Sequence, residues 1–259
     1  MEFPLQSGPA CARCGDTLAG PAPDSSGASL CRACRLAAPP FERAVSYGLY
    51  EGRMKAAIHA LKYDRLHAAA QPLGRMLAQA ISQLAGEAPA QMLVVPVPLH
   101  RSKRAERGFN QARALAAEAV GCLRKSHPEW RLTLASSTLM RLRATAGQAG
   151  LTARQRRLNV RGAFTVSDPA TVAGKDILLI DDILTTGATA RSAAQALRRA
   201  GAATVWVATL ARARRSFPTR RGSQAFSEDV AENSGPGGNA LPAALQGVGI
   251  HSSHDQSSF

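Results

Sequence analysis

One short segment restricts the fold of this chain more than any other. Four apolar residues at 177–180 are followed by Asp181 and Asp182, and a threonine and glycine loop then leads into a helical segment. An apolar run of this length is typical of a strand buried in a parallel sheet. Ligands of open α/β sheets bind at the carboxyl ends of such strands. The segment therefore predicts an α/β domain with a ligand site directly after residue 180.

The loop after the two acids has the composition of a phosphate cradle. Gly187 allows a tight backbone turn at the start of the predicted helix. Hydroxyl groups beside the N–H groups of the helix N-terminus come from Thr185, Thr186 and Thr189. Two carboxylates beside this loop would repel a bare phosphate, so the ligand must also offer hydroxyl groups or a divalent metal. A phosphorylated sugar meets both conditions.

Three regions differ in composition. Residues 1–40 hold four of the five cysteines and are predicted to form a small, loop-rich module. Residues 41–215 alternate strand-like and helix-like apolar segments, which favours a parallel sheet flanked by helices. Residues 216–259 contain few large apolar side chains and are predicted to be a disordered tail.

The apolar spacing places the main elements within the central region. Strands are predicted near residues 45–50, 92–98, 176–181 and 204–210. Helices are predicted near residues 51–63, 73–84, 109–123 and 189–200. Gly201 is expected to end the last of these helices, because glycine is favoured directly after a helix C-terminus.

The cysteine spacing is that of a zinc site. Cys11 and Cys14 form one C-x₂-C pair, and 16 residues separate it from the second pair, Cys31 and Cys34. Two such turns can offer four thiolates to one tetrahedral Zn²⁺. Two disulfides are the alternative, but a cytoplasmic protein keeps its thiols reduced. We expect a structural zinc site, and we interpret the fifth cysteine, Cys122, as a packed core thiol.

Charge and hydropathy exclude some classes of protein. No apolar run approaches the roughly 18 residues that span a bilayer, and no signal segment precedes the cysteines, so we expect a cytoplasmic protein without membrane insertion. The net charge of +14 comes mainly from arginine, which suits phosphates and nucleic acids. A coding bias towards arginine would give the same composition. Aromatic residues are only 5%, which leaves little for the base stacking that single-strand binders use.

Residues 177–189 resemble the motif of type I phosphoribosyltransferases that binds 5-phosphoribosyl-1-pyrophosphate (PRPP): an apolar strand, paired acids and T-T-G-x-T. The resemblance implies that Asp181 and Asp182 are the catalytic acids and hold the ribose 2′ and 3′ hydroxyls. It implies that the 5′-phosphate lies in a loop formed by Thr185, Thr186, Gly187, Ala188 and Thr189. PRPP would bind together with Mg²⁺.

Two further segments resemble the ComF competence family, whose members join a cysteine zinc module to a phosphoribosyltransferase domain. One segment, residues 95–104, reads V-P-V-P-L-H-R-S-K-R and is followed by R-G-F-N-Q at residues 107–111. The other begins with R-L-R at residues 141–143 and ends with G-A-F at residues 162–164. The resemblance covers residues 11 to about 212, with the zinc module, R-G-F-N-Q and the PRPP loop in family order.

The resemblance also gives both segments a function. Residues 98–104 take the position of the pyrophosphate loop, and the basic and polar residues predicted to contact ligand there are Arg101, Lys103, Arg104, Arg107, Asn110 and Gln111. Residues 141–159 take the position of a mobile loop, whose predicted ligand contacts are Arg143, Gln148, Arg156 and Asn159. Alternatively, the basic residues are a solvated surface or contact nucleic-acid phosphates, and Asn110 and Gln111 cap a helix.

Three functions stay open on the sequence. The ComF resemblance implies a protein that binds PRPP or a related phosphorylated ligand and acts in DNA uptake during natural transformation. Single-stranded DNA and the competence DNA-translocation helicase would be its partners. The second function is an active phosphoribosyltransferase that acts on a nucleobase or an amine. The third is a non-catalytic module that binds single-stranded DNA, which the two adjacent carboxylates disfavour because they repel DNA phosphates.

Overall fold

A computed structural model of the chain describes residues 8–18, 29–63, 69–143 and 152–214. All of these residues belong to one compact unit, Met1–Phe217. The tail predicted at residues 216–259 and Gln148 lie outside the described residues, and so does the side chain of Arg156. The domain boundaries near residues 40 and 215 stay predictions.

The described residues include each strand and helix that the sequence predicts, together with elements that it does not predict, among them three strands between residues 131 and 166. The strands are β1 (Ala44–Leu49), β2 (Gln91–Pro96), β3 (Arg131–Leu134), β4 (Leu139–Arg141), β5 (Phe164–Val166), β6 (Asp176–Leu184) and β7 (Thr204–Arg212). The helices are α1 (Arg32–Leu36), α2 (Gly52–Tyr63), α3 (Ala70–Ser82), α4 (Arg101–Arg107), α5 (Gln111–Ser126), α6 (Ala153–Val160) and α7 (Ala188–Arg199), with a 3₁₀ turn at Pro169–Thr171.

Five strands form one parallel sheet in the order β1-β7-β6-β2-β3. β4 and β5 form a separate antiparallel hairpin. The parallel sheet with its intervening helices confirms the α/β class. Its order places β6 between β7 and β2, at the centre of the sheet.

The side chains of β6 alternate between two buried clusters, as the two-residue period of a strand requires. Leu178 and Ile180 join the cluster formed with α3 and α5 on one face. Ile177 and Leu179 join the cluster formed with α7 and the four cysteines on the other face. Because both faces of β6 are covered, its apolar residues form an unbroken run in the sequence.

β6 is longer than the sequence predicts. The strand continues through both acids to Leu184, because β7 pairs with it as far as Arg212. Pairing with β2 ends earlier, at Ile180 and Pro96, where the proline-rich segment leaves the sheet. Beyond Ile180, ladder pairing of β6 continues only with β7, so the acid pair lies where β6 has no β2 neighbour.

Helix α4 is a second difference from the sequence prediction. Residues 101–107 were expected to be part of a loop, but the structure folds them into a helix with no buried residue. The His100 side chain accepts a hydrogen bond from the Ser102 N–H at the start of α4. Gly108 ends the helix in a left-handed conformation with φ of 77°. Terminal caps, rather than an apolar face, define this helix.

Candidate active site and candidate metal centre

The acid pair lies on β6 where the strand has lost its β2 neighbour. Asp181 and Asp182 are both half-buried, and the Asp182 N–H donates to Asp181 Oδ1 at 2.9 Å. Lys62, in the last turn of α2, places its Nζ 2.6 Å from Asp182 Oδ2. The pair therefore faces a cation that lies 120 positions before Asp182 in the chain.

Burial and neighbouring charges together set the pKa values of the groups at this site. Burial raises the pKa of Asp181 to about 7, and the adjacent Asp182 charge acts in the same direction. Burial alone would lower the pKa of Lys62, but the Asp182 and Asp181 charges raise it above its ordinary value. Lys62 is consequently a permanent cation near neutral pH, whereas Asp181 can exchange a proton there.

A second cation approaches from the β4–β5 hairpin. The Arg141 guanidinium carbon lies 5.4 Å from the centre of the Phe164 ring. Burial lowers the pKa of Arg141, and the Asp181 charge opposes this change. Neither Lys62 nor Arg141 is among the site residues predicted from the sequence. The R-L-R segment was an available signal for Arg141, whereas no motif in the sequence marks Lys62.

The predicted phosphate loop connects the acid pair to α7. Residues 185–187 form a bend, and Gly187 precedes the helix with φ of 76°, a conformation that favours glycine. The Ala188 N–H donates to Thr186 Oγ1 at 3.4 Å, and the Arg191 N–H donates to the Gly187 carbonyl at 2.8 Å. The positive end of a twelve-residue helix therefore lies directly after the acids. This arrangement suits an anionic group.

The predicted pyrophosphate segment divides into a basic helix and a helix start. Arg101 and Arg104 of α4 are exposed, while Lys103 and Arg107 are half-buried. Asn110 caps α5: its Oδ1 accepts from the Ala112 N–H at 3.0 Å, and its Nδ2 donates to the Val97 carbonyl at 3.1 Å. Its ligand contact stays a prediction beside this observed capping role.

Gln111, the next residue, differs from Asn110. Its side chain is only 2% exposed, and its Nε2 atom has no hydrogen-bond partner. A buried donor without a partner is costly, typically about 1–3 kcal/mol. Of the two residues, Gln111 is therefore the one with a free donor to offer a ligand, and its ligand contact stays a prediction.

The other predicted mobile-loop residues lie on or beside α6. Arg143 donates to the Arg161 carbonyl, and Asn159 is half-buried. A capping box formed by Thr152 and Gln155 starts this helix. The Ser192 hydroxyl donates to the Val160 carbonyl at 2.6 Å, which fixes the end of α6 to α7.

The four N-terminal cysteines form a compact sulfur cluster. Their sulfur atoms lie within 4.8 Å of one another, and all four side chains are buried. Cys14 Sγ and Cys31 Sγ are 3.7 Å apart, close to the roughly 3.8 Å edge of a tetrahedron with metal–sulfur distances near 2.3 Å. Burial raises the pKa of Cys14, and that of Cys34 to about 11, so a nearby cation is needed to keep these two thiolates ionised. The cluster fits a metal ion.

Two arginines connect this cluster to the central domain. Arg212, at the end of β7, is 1% exposed and places its Nη2 3.1 Å from Asp16 Oδ1 and 4.0 Å from Cys14 Sγ. Arg191, in α7, places its Nη2 3.9 Å from Cys34 Sγ and 3.1 Å from the Ala37 carbonyl. The cysteine module therefore contacts the helix that follows the phosphate loop.

Comparison with known proteins finds relatives that match the phosphoribosyltransferase and ComF resemblances of the sequence. The family model described as "Phosphoribosyl transferase domain" matches residues 105–229. The DNA utilization protein YhgH of Salmonella typhi is 36% identical over 187 residues, which is 70% of this chain and 77% of that protein. Competence protein F of Haemophilus influenzae is 26% identical over 212 residues, 81% of this chain and 87% of its own.

A solved structure, described as the allosteric regulatory enzyme of purine biosynthesis, is 26% identical over 55% of this chain and 25% of its own. Its TM-score of 0.33 is too low to support an argument about this chain. Among the residues that the structure describes, no helix is long and apolar enough to cross a membrane.

Proposed function

The chain belongs to the ComF family of phosphoribosyltransferase-like proteins, and on this premise we propose that it binds PRPP, or a related phosphorylated ligand, and acts in DNA uptake. The observation that carries the proposal is the paired acids on β6, followed by the glycine-containing loop and the N-terminus of α7. One end of this arrangement accepts hydrogen bonds, and the other attracts an anion. PRPP offers both partners, a ribose diol for the acids and a 5′-phosphate for the loop.

Each part of the site has a chemical task in this proposal. Asp181 and Asp182 accept hydrogen bonds from the ribose hydroxyls, and residues 185–189 surround the 5′-phosphate. The buried Gln111 amide and the basic residues of α4 are positioned after β2 to contact pyrophosphate. Mg²⁺, bound with the ligand, would neutralise part of the pyrophosphate charge. Arg141 adds a positive charge near Asp181.

A second function, phosphoribosyl transfer to a nucleobase or an amine, is favoured by one observation. The Asp181 carboxyl has a pKa of about 7, so it can accept a proton near neutral pH. A transferred acceptor must lose a proton as its bond to ribose forms. Release of pyrophosphate from PRPP in the presence of a base or amine would distinguish this enzyme from a protein that only binds.

The DNA role is supported by the names of the relatives and by the charge of the chain. The relatives are named for DNA utilization and for competence. Arg101 and Arg104 are exposed on α4, where they can contact phosphates of a single strand. The competence DNA-translocation helicase is the proposed protein partner, and the cytoplasm is the proposed location.

We assign zinc to the cysteine cluster. Thiolate ligands in a tetrahedral set select zinc over magnesium or calcium. Four cysteines leave no coordination position open, so the metal has a structural role and takes no part in the reaction.

The ligand proposal is tested by calorimetric titration of Mg²⁺ and PRPP into the zinc-loaded protein. We expect binding by the native chain and loss of binding in the Asp181→Asn, Asp182→Asn double variant, because two charged acceptors become amides. Asp176→Asn is the matched control, since Asp176 lies at the opposite end of β6 and bonds Thr204. Equal affinity in the double variant and the control would remove the acid pair from the ligand site.

A further inference from the structure

The contact between Lys62 and Asp182 has a consequence for what the acid pair can bind. Two adjacent, half-buried carboxylates are a common arrangement for capturing a divalent cation. Here an ammonium group already lies 2.6 Å from one of their oxygens. We infer that Lys62 is a positioning residue that excludes free divalent cations from the acid pair and so reserves the pair for the ribose diol.

The position of Lys62 is fixed by the packing of α2. Leu61 and Ile58 of this helix are fully buried in the core. The Lys62 side chain is itself only 18% exposed, so its aliphatic stem lies against protein. A lysine held in this way loses little conformational freedom when it contacts Asp182, and the ammonium group stays at the acids.

Charge compensation explains the selectivity. With Lys62 at Asp182 and Arg141 near Asp181, the two negative charges face two positive ones. A neutral ribose hydroxyl can bind to these four groups without changing their net charge. A bare divalent cation would have to displace the ammonium group from a partly buried contact, which costs the energy of that ion pair. Mg²⁺ therefore enters with the pyrophosphate of the ligand rather than at the acid pair.

The inference concerns the specificity of the proposed PRPP site and rests on that function. Its test uses Mn²⁺ alone as the probe, added to the full chain after the cysteine cluster is saturated with zinc. The variant is Lys62→Met, which keeps an unbranched side chain only one atom shorter and removes its charge. Lys62→Arg is the matched control, because it keeps the charge.

We expect the native chain and Lys62→Arg to show no Mn²⁺ binding that depends on Asp182. Lys62→Met should gain one Mn²⁺ site, with an affinity at least about tenfold above the detection limit at which the native chain shows none, a difference of about 1.4 kcal/mol. Adding Asp182→Asn to Lys62→Met should remove the new site. Lys62→Gln provides a second uncharged variant, and circular dichroism verifies that each variant folds.

Two results would overturn the inference: Mn²⁺ binding by the native chain that Asp182→Asn abolishes, or folded Lys62→Met and Lys62→Gln with no gain. The PRPP titration separates this failure from failure of the proposed function. If the native chain binds PRPP and neither uncharged variant gains Mn²⁺, the role of Lys62 is wrong and the PRPP site stands. If the variants gain a Mn²⁺ site and the native chain does not bind PRPP, the role of Lys62 in cation exclusion stands and the proposed PRPP ligand is wrong.

Discussion

At the residue scale, the site depends on pairs of groups that the chain brings together from distant positions. Lys62 and Asp182 are in contact although four helices and four strands of the described residues, from α3 to β5, lie between them in the sequence. Arg141 joins them from a separate hairpin. The protonation state of Asp181 therefore reports on three segments of the chain at once.

The first prediction concerns the pH dependence of stability. The pKa of Asp181 is about 7 in the folded chain, above its ordinary value, so the folded state holds a proton that the unfolded state has released. The free energy of unfolding should consequently fall as pH rises from about 4 to about 7. Asp181→Asn should remove this component and be more stabilising at about pH 8 than at about pH 5.

Urea unfolding of the native chain and the variant at both pH values measures this difference. Carbon NMR of the side-chain carboxyl provides a direct titration of Asp181. A midpoint near the ordinary value for aspartate, together with an equal effect of the substitution at both pH values, would contradict the assigned environment.

The residue scale also shows the limit of sequence reasoning. The motif at residues 177–189 predicts the acids and the loop, because their order along the chain is itself the signal. Lys62 carries no such signal. Helical periodicity predicts that Leu61 is buried, but it does not show that the adjacent Lys62 contacts Asp182. Partners from distant elements become visible only when the sheet order is known.

At the element scale, α7 has two functions. Its first turn follows the proposed phosphate loop, and Arg191 in that turn contacts Cys34 Sγ and the Ala37 carbonyl. A change in the cysteine cluster can therefore alter the helix start through one side chain. The boundaries of α7 agree with the sequence to within a residue at each end, because Gly187 and Gly201 mark both termini.

The second prediction follows from this contact. Removing metal from the cysteine cluster with a chelator should weaken PRPP binding severalfold, because Cys34 and Ala37 no longer hold Arg191. Arg191→Met should weaken binding by itself and make the affinity insensitive to the chelator. Calorimetry with and without chelator measures both effects.

Arg198→Met is the control for this prediction, since Arg198 lies in the last turn of α7 and bonds the Ala202 carbonyl. The PRPP affinity of Arg198→Met should fall on addition of the chelator by as much as that of the native chain. If Arg191→Met responds equally, the cluster and the loop are independent.

Elements differ in how far the sequence predicts them. β1, β2, β6 and β7 were predicted because buried parallel strands produce apolar runs. The helix α4 was missed because all its residues are at least partly exposed and its ends alone define it. The extension of β6 to Leu184 was missed because it depends on pairing with β7, which is a property of two strands rather than one.

At the scale of the whole molecule, the cysteine module and the sheet share a buried ion pair. Arg212 and Asp16 are 1% and 5% exposed at their side chains, and Arg212 has two nitrogen atoms, Nε and Nη1, without partners. The pair joins the end of β7 to the turn after Cys14. A buried charge left without its partner is strongly destabilising.

The third prediction compares this ion pair with an exposed one. Asp16→Asn should lower the free energy of unfolding by about 3 kcal/mol, the low end of the range for broken buried pairs, because the Cys14 sulfur still faces Arg212. Glu42→Gln is the matched control, since its pair with Arg13 is about two-fifths exposed. It should cost less than about 1 kcal/mol.

Urea unfolding of zinc-loaded protein measures both variants. Equal costs would show that the Arg212 pair is solvated and that the module is only loosely attached to the sheet. A larger cost for Glu42→Gln would contradict the burial assigned to both pairs.

The order of the sheet has a consequence for how this protein is made. Among the strands of the described residues, β7 comes last in the sequence, yet it lies between β1, the first of them, and β6. During synthesis on the ribosome, β1 has no neighbour in the sheet until residues 204–212 leave the exit tunnel. Completion of the sheet therefore requires β7 to insert between β1 and β6, which are already synthesised by then.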